Sequence, residues 1–339
     1  MAGQRFLVPY VRVRLLPPQP KFSLSTIIFS MGSTFKKLKG SKVSKDSGFW
    51  TLKRANIVLA FVGSTWGLNY ICMKVVMGEM SPWWMVTLRF SIAFLIVAAV
   101  FFKHLRTTNL TVIKGAAVVG FFDAGMFFTL LQGLGNTSVT NAGFICATSV
   151  VIVPVLNAIF RRKLPDNRVF ICCLIAIVGI GCMTLKESLS ISLADIWCLA
   201  CALSYALWVL TTSHFVKTCD GLQLGIWQLG FAAIYLLIFA AISDPFSLPV
   251  TEVGWFCLLL MALLCTAIGF VLQTVAQKYT TPEHASLMFC TEPISSAFFG
   301  FILFGEVVGF QGYLGAALIL LAVVLSTIKL DRFKLPSET

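Results

Sequence analysis

The sequence predicts an all-α membrane protein of ten transmembrane helices arranged as two inverted five-helix repeats. Three observations carry that expectation. The chain is 58% hydrophobic and only 12% charged, with a mean hydropathy of +0.89, far outside the range of water-soluble domains. Ten apolar stretches of roughly membrane-crossing length follow one another with short connections. Finally, the two halves of the chain resemble each other at a nearly constant offset.

The chain opens on a basic tail, residues 1–54, with no acidic residue before Asp46 and with Pro17, Pro18 and Pro20 in its first third. It lacks the order of a secretory signal and reads as cytosolic and mostly disordered. Met31 is an alternative start, and the acid-poor opening also fits an organellar transit peptide. The spans then run Ile57–Met77, Pro82–Phe102, Ile113–Gln132, Ala142–Phe160 and Val169–Leu185, and after them Leu193–Phe215, Leu222–Ile242, Val253–Gln277, His284–Phe304 and Gln311–Ile328. They divide into repeats at 55–187 and 188–329, followed by a short cytosolic tail, 330–339.

Charge sets the orientation. One set of connections carries Lys103, Arg106, Lys114, Arg161, Arg162, Lys163, Arg168, Lys217 and Lys278, and the alternate loops carry Glu79, Asp244, Glu252 and Glu306 with Lys186 as their base. Basic loops stay on the cytosolic side, so both termini are expected in the cytosol and the protein in the cytoplasmic membrane. The net charge of +12 is thereby accounted for by topology and by contact with anionic lipid, with no nucleic-acid partner. The 11 cysteines show no paired ligand spacing. Cys198 and Cys201 lie in an apolar helix without His partners, which points to packing rather than to a metal or redox centre. No cofactor is called for.

Thr137–Ala142 aligns with Thr280–Ala285 at an offset of 143 residues, which also brings Thr148 onto Thr291. At an offset of 139, Trp66-Gly67-Leu68 falls on Tyr205-Ala206-Leu207, and Arg89 on Gln228. With five helices per half, the second half enters from the opposite side of the membrane, an arrangement typical of secondary transporters. The motifs Trp66-Gly67, Ser81-Pro82 with Leu88-Arg89-Phe90, Asn141-Ala142-Gly143-Phe144 through Val153-Pro154, Thr291-Glu292-Pro293 with Phe304-Gly305-Glu306, and Gly315 through Ile319, in this order, resemble the EamA-type family of drug/metabolite transporters. That resemblance covers Arg54 to Lys329. It implies a ten-helix basket with a central cavity, working by alternating access and exporting small metabolites. One departure stands out: the first half has Ser149-Val150 where the second has Glu292-Pro293, and its own proline, Pro154, comes a turn later.

The polar residues inside the spans are the candidate site. Glu292 lies about 12 Å into its helix from His284, at ~1.5 Å per residue. A carboxylate there must be paired, protonated or turned toward water, and Pro293 loosens the helix at the same point. Asp123 lies ~15 Å into the third span among Phe121, Phe122, Phe127 and Phe128. It either carries a proton or serves as a static partner of Arg89. Arg89 can grip a carboxylate bidentately or neutralise one of these acids. Lys74, near the outer end of the first helix, snorkels or joins Trp66 and Asn69 at the cavity mouth. Tyr205, with Trp208, Trp227 and Phe128, offers stacking surface. Gly63-x-x-x-Gly67 permits close helix approach. His284 reads as a solvated helix end.

The expectation is therefore a secondary transporter of a small organic metabolite, an amino acid, its derivative or a drug-like compound, with proton coupling through Glu292 or Asp123. The sequence contains no phosphate-cradling loop for ATP. An organellar nucleotide-sugar or sugar-phosphate carrier is the alternative cargo reading, and it would demand more cavity cations than Arg89 and Lys74. An intramembrane lipid-modifying enzyme is the alternative of another class, disfavoured because the acids are single and far apart.

Overall fold

The computed structural model describes residues 50–134, 145–162, 166–184, 193–305 and 309–327. The tails at 1–49 and 328–339, the repeat segment 137–142, the motif at 141–144, Lys163, Lys186 and Glu306 lie outside them. Among the described residues the chain is helical, with no strand. Seven helices are long and apolar enough to cross a membrane, and three shorter apolar ones accompany them. The rods are α1 Leu52–Val76, α2 Pro82–Val100, α3 Leu110–Leu134, α4 Ser149–Arg161, α5 Asn167–Thr184, α6 Leu193–Phe215, α7 Gly221–Ser243, α8 Glu252–Gln277, α9a Pro282–Phe289, α9b Thr291–Phe304 and α10 Phe310–Thr327.

Local sequence sets the helix starts. Thr51, Ser81, Asp220, Thr251 and Thr281 are N-caps whose side-chain oxygens accept from backbone N–H groups of the first turn, which would otherwise lack a partner. Pro82 and Pro282 follow their caps at the start of the helix, where the missing N–H costs nothing. Gly305 closes α9b at φ 66, donating its N–H to the Phe301 carbonyl at 2.9 Å.

The helices are apolar on nearly every face, so large apolar side chains are found both inside and outside the bundle. Phe121, Leu199, Ile234 and Phe301 are exposed on the outer surface, the side that hydrocarbon would cover, whereas glycines mark the crossings. Gly67 of α1 meets α9b, Gly120 of α3 meets α7, and Gly179 of α5 meets α10. The closest neighbours join the first five rods to the last five: α3 with α6, α1 with α8, α2 with α7, α5 with α10, and α1 with α9b.

Helices α2 and α7 run antiparallel and are tied at both ends. The N-cap of α2, Ser81, donates to the Asp244 carboxylate at the C-terminus of α7, and Trp84 Nε1 donates to the Asp244 carbonyl at 3.0 Å. At the other end Asp220, the N-cap of α7, lies 3.3 Å from His104 Nε2 beyond α2, and Gln223 Nε2 donates to the His104 carbonyl at 2.9 Å.

Two irregular places were not legible as such. The ninth segment breaks at Cys290 rather than at the Glu292-Pro293 pair, and α9b restarts at Thr291. Pro293 thereby falls in a first turn, where no intrahelical donor is missing, and Glu292 in the same turn faces the positive end of the helix dipole. A turn at Thr148 precedes α4 in the same way, while Pro154 sits inside α4. The second place is a π-helical stretch, Met261–Ile268, in the middle of α8. His284 also departs from expectation. It is buried, with Nδ1 2.8 Å from Thr281 Oγ1, because the cap turns its ring back onto the helix start.

Candidate functional site

The wide turn of α8 is where α1 and α2 fasten to the second half. A π turn redirects carbonyls from the regular ladder, and here Thr266 Oγ1 donates back to the Met261 carbonyl, 2.9 Å away. The Cys265 carbonyl takes Trp66 Nε1 at 2.9 Å. Thr266 Oγ1 in turn accepts from Arg89 Nε at 2.5 Å, and Asn69 Oδ1 accepts from Arg89 Nη1 at 2.8 Å. The rings of Phe127 and Phe90 lie 5.0 and 5.5 Å from the guanidinium carbon, within cation–π range. Arg89 is 1% exposed, and among the described residues no carboxylate reaches ion-pair distance from it.

Asp123 is nearby and fully buried, and neither carboxylate oxygen has a hydrogen-bond partner. Arg89 acts on it through space only. Unpaired buried carboxylates are rare, because each lost partner costs about 1–3 kcal/mol, more for a charged group.

Glu292 differs from both. It is only partly buried, in the first turn of α9b, which packs on α1. Tyr70 of α1, Arg89, Cys146 and Tyr205 are within electrostatic reach of its carboxylate. Tyr70, Cys146 and Tyr205 are likewise half-buried.

An aromatic cluster gathers around Trp66 and Trp208. The Trp66 ring lies 5.0 Å from Phe289, 5.2 Å from Phe270 and 6.0 Å from Trp208. Tyr205 meets Trp208 at 5.5 Å. Of the aromatic residues singled out in the sequence, Trp227 and Phe128 lie apart from this group. Trp227 contacts Phe94 and Thr108, and Phe128 packs on Trp83, Trp197 and Phe239.

Trp66, Asn69, Arg89, Asp123, Tyr205 and Glu292 therefore converge, whereas Lys74 is exposed at the end of α1, away from the buried Trp66 and Asn69. Tyr70 and Thr266 escape sequence reasoning. A tyrosine in a span reads equally as an interfacial anchor, and a threonine in an apolar run carries no signal of a π turn.

A second polar chain mirrors the first. Trp208 Nε1 donates to Gln228 Oε1 at 3.4 Å, and Gln228 Nε2 donates to Thr274 Oγ1 at 2.7 Å. Asn69 precedes Arg89 by 20 residues, and Trp208 precedes Gln228 by 20. Equivalent positions thus hold a pair with one charged member in the first half and a neutral pair in the second.

Two successive stretches of the chain, residues 53–185 and 192–328, match the EamA-like transporter family. The chain belongs to that family. It is 30% identical over 294 residues to an uncharacterized transporter of Archaeoglobus fulgidus, covering 86% of this chain and 92% of that one. It is 25% identical over 288 residues to the uncharacterized inner membrane transporter YicL of Salmonella typhimurium, covering 80% and 94%. With the uncharacterized transporter YoaV of Bacillus subtilis it shares 23% identity over 296 residues, 82% of this chain and 99% of that one. A solved crystal structure shares the fold at a TM-score of 0.68 and 14% identity, covering 81% of this chain and 96% of its own. The EamA chain described here is a multi-pass membrane transporter, and family and relatives point away from an enzyme.

Proposed function

We propose that this transporter exports a small organic metabolite, an amino acid, its derivative or a drug-like compound, across the cytoplasmic membrane by alternating access, with Glu292 as the proton-coupling carboxylate. In this reading the three shorter helices also cross, giving ten spans in two inverted five-helix repeats, 55–187 and 188–329, with both tails cytosolic.

Exchange of the halves supports the inverted arrangement. Neighbours α3 with α6 correspond to α8 with α1, and α4 with α6 to α9 with α1, while α2–α7 and α5–α10 map onto themselves. The bonds of Ser81 and Trp84 to Asp244 likewise correspond to those of Asp220 and Gln223 with His104.

The observation that carries the function is Glu292 itself: an acid in an apolar span, in the first turn of α9b and only partly buried. Such intramembrane acids belong to substrate and proton pathways. Asp123, sealed from solvent, serves in this reading as the permanent counterpart of Arg89. A nucleotide-sugar or sugar-phosphate cargo is disfavoured, because it needs accessible cations and Arg89 is 1% exposed.

The test is reconstitution into liposomes holding a trapped pH dye, challenged with amino acids, nucleobases, polyamines and sugars. Substrate-evoked proton movement that Glu292→Gln abolishes is the expected result. Saturable substrate flux that ignores an imposed pH gradient refutes the coupling, and the absence of any saturable flux refutes the transporter mechanism.

A further inference from the structure

Two related halves should repeat each other's bonds, and at the centre of the molecule they do not. The offset of 143 residues that brings Thr148 onto Thr291 also brings Leu134 onto Gln277, the ends of α3 and α8, and Asp123 onto Thr266. Arg89 corresponds to Gln228, so the bond from Arg89 Nε to Thr266 Oγ1 has a counterpart, Gln228 to Asp123. Among the described residues that counterpart is unmade. Gln228 Nε2 donates to Thr274 Oγ1 at 2.7 Å, its second N–H meets no acceptor, and both Asp123 oxygens lack a donor. The two side chains are nonetheless neighbours, both fully buried. Gly120 lies one turn before Asp123 on the same helix face. It packs so closely on α7 that a Cβ there would stand 2.7 Å from the Gln228 carbonyl oxygen.

A second pair of counterparts differs in the same sense. Thr291 Oγ1 donates across to the Ala60 carbonyl of α1 at 2.9 Å, whereas Thr148 Oγ1 donates to the Ile145 carbonyl of its own turn at 2.5 Å. In both cases α1 or α2 of the first half is fastened to α8 or α9b of the second, and the reverse connection is unmade. We propose that this asymmetry marks one of two states, and that in the other state Gln228 donates to Asp123 while Arg89 releases Thr266. Asp123 remains the counter-charge of Arg89 throughout and gains a hydrogen bond only when the halves exchange roles. That accounts for a carboxylate kept buried without a partner, which a single static structure would not favour. It also gives the π turn of α8 a part: Thr266, which donates back to Met261 within it, is the acceptor that is let go. The inference rests on the inverted-repeat reading proposed above, in which exchange of the halves converts one state into the other.

The test is a double-mutant cycle between Asp123→Leu and Gln228→Met, read as the melting temperature of the purified full-length protein in detergent, in two backgrounds. With Thr266 in place, Gln228 and Asp123 make no bond and their two shifts are expected to add. Thr266→Val takes away the acceptor that holds Arg89 on α8, so the second state fills. In that background the shifts are expected to be non-additive by roughly 3 °C or more, because either change alone breaks the same hydrogen bond to a charged group. Thr266 bonds neither Asp123 nor Gln228, so coupling created by its replacement has to pass through the exchange.

Additive shifts in both backgrounds overturn the inference. Equal coupling in both overturns it too, since Gln228 and Asp123 would then be partners in a single state. Where Asp123→Leu does not fold, Asp123→Asn takes its place. Its amide oxygen still accepts, and charge-assisted bonds are about twice as strong as neutral ones, so the expected non-additivity is roughly half as large and its absence counts against the exchange. The liposome assay keeps the two readings apart. Coupling without saturable flux leaves the exchange and removes the transport reading, while saturable flux with additive cycles leaves transport and removes the exchange.

Discussion

Replacing Gly67 with alanine puts a methyl group where α1 crosses α9b with no room for one. A Cβ there would stand 2.0 Å from Ser295 Oγ, 2.5 Å from Ser296 N and 2.7 Å from the Glu292 carbonyl oxygen. The serine side chain can rotate away, but the two backbone atoms cannot. Bringing the nitrogen to the 3.4 Å edge of ordinary contact requires the helices to part by roughly 0.9 Å. Overpacking of this kind costs about 1–3 kcal/mol, and the better helix propensity of alanine returns at most about 1 kcal/mol. The expected net loss is about 1–2 kcal/mol, or roughly 2–4 °C of apparent melting temperature per kcal/mol, read by intrinsic fluorescence in detergent. Because the displaced backbone carries Glu292, flux in proteoliposomes should fall further than stability does. Gly125→Ala is the control, since its nearest neighbour is the Ser204 Oγ at 3.7 Å and it should be neutral or stabilising. A Gly67→Ala protein as stable and as active as Gly125→Ala would refute the close crossing of α1 on α9b.

Other perturbations address single contacts. Glu79, in the loop after α1, accepts from the Thr251 hydroxyl at 2.5 Å and from the Thr251 and Val250 N–H groups at 3.0 Å each. These bonds, the Thr251 hydroxyl first, hold its carboxyl below the usual carboxylate range. A depressed folded value stabilises above the unfolded value and is lost as pH falls through the folded one. The melting-temperature gap between wild type and Glu79→Gln should therefore be constant near neutrality and close in acid; a gap that widens in acid contradicts the assignment.

Arg89→Lys cannot reach Thr266 and Asn69 together and should cost about 1.5–3 kcal/mol. In a double-mutant cycle with Thr266→Val the two losses should be non-additive by more than ~0.5 kcal/mol, whereas strict additivity speaks against the bond. Trp66→Phe removes the donor to the Cys265 carbonyl and should lower stability by about 1 kcal/mol, measured by the same melting assay; an unchanged melting temperature means that the π turn finds another donor.

Much of this was legible in the chain. Hydropathy is a local property, so the spans could be placed from composition alone, and Leu193–Phe215 coincides with α6. Caps are local too: Ser81-Pro82 and Thr281-Pro282 mark helix starts wherever the helices go. The family motifs pointed to the transporter class, and the residues Trp66, Asn69, Arg89, Asp123 and Glu292 stand out because polar groups are costly in an apolar span.

Local chemistry along the chain thus accounts for its solvent, its helices and a short roster of polar residues. Which of those residues are spent on structure was decided only by the tertiary fold. Arg89 is buried because Thr266, 177 positions away in the chain, presents its hydroxyl from a π turn that no local pattern announces. Glu292 keeps some accessible surface in a first turn, where the helix restarts after the break at Cys290. Hydrophobicity is summed along a helix and survives any packing, whereas hydrogen bonds and exposure depend on which faces meet, and one chain read residue by residue does not contain that information.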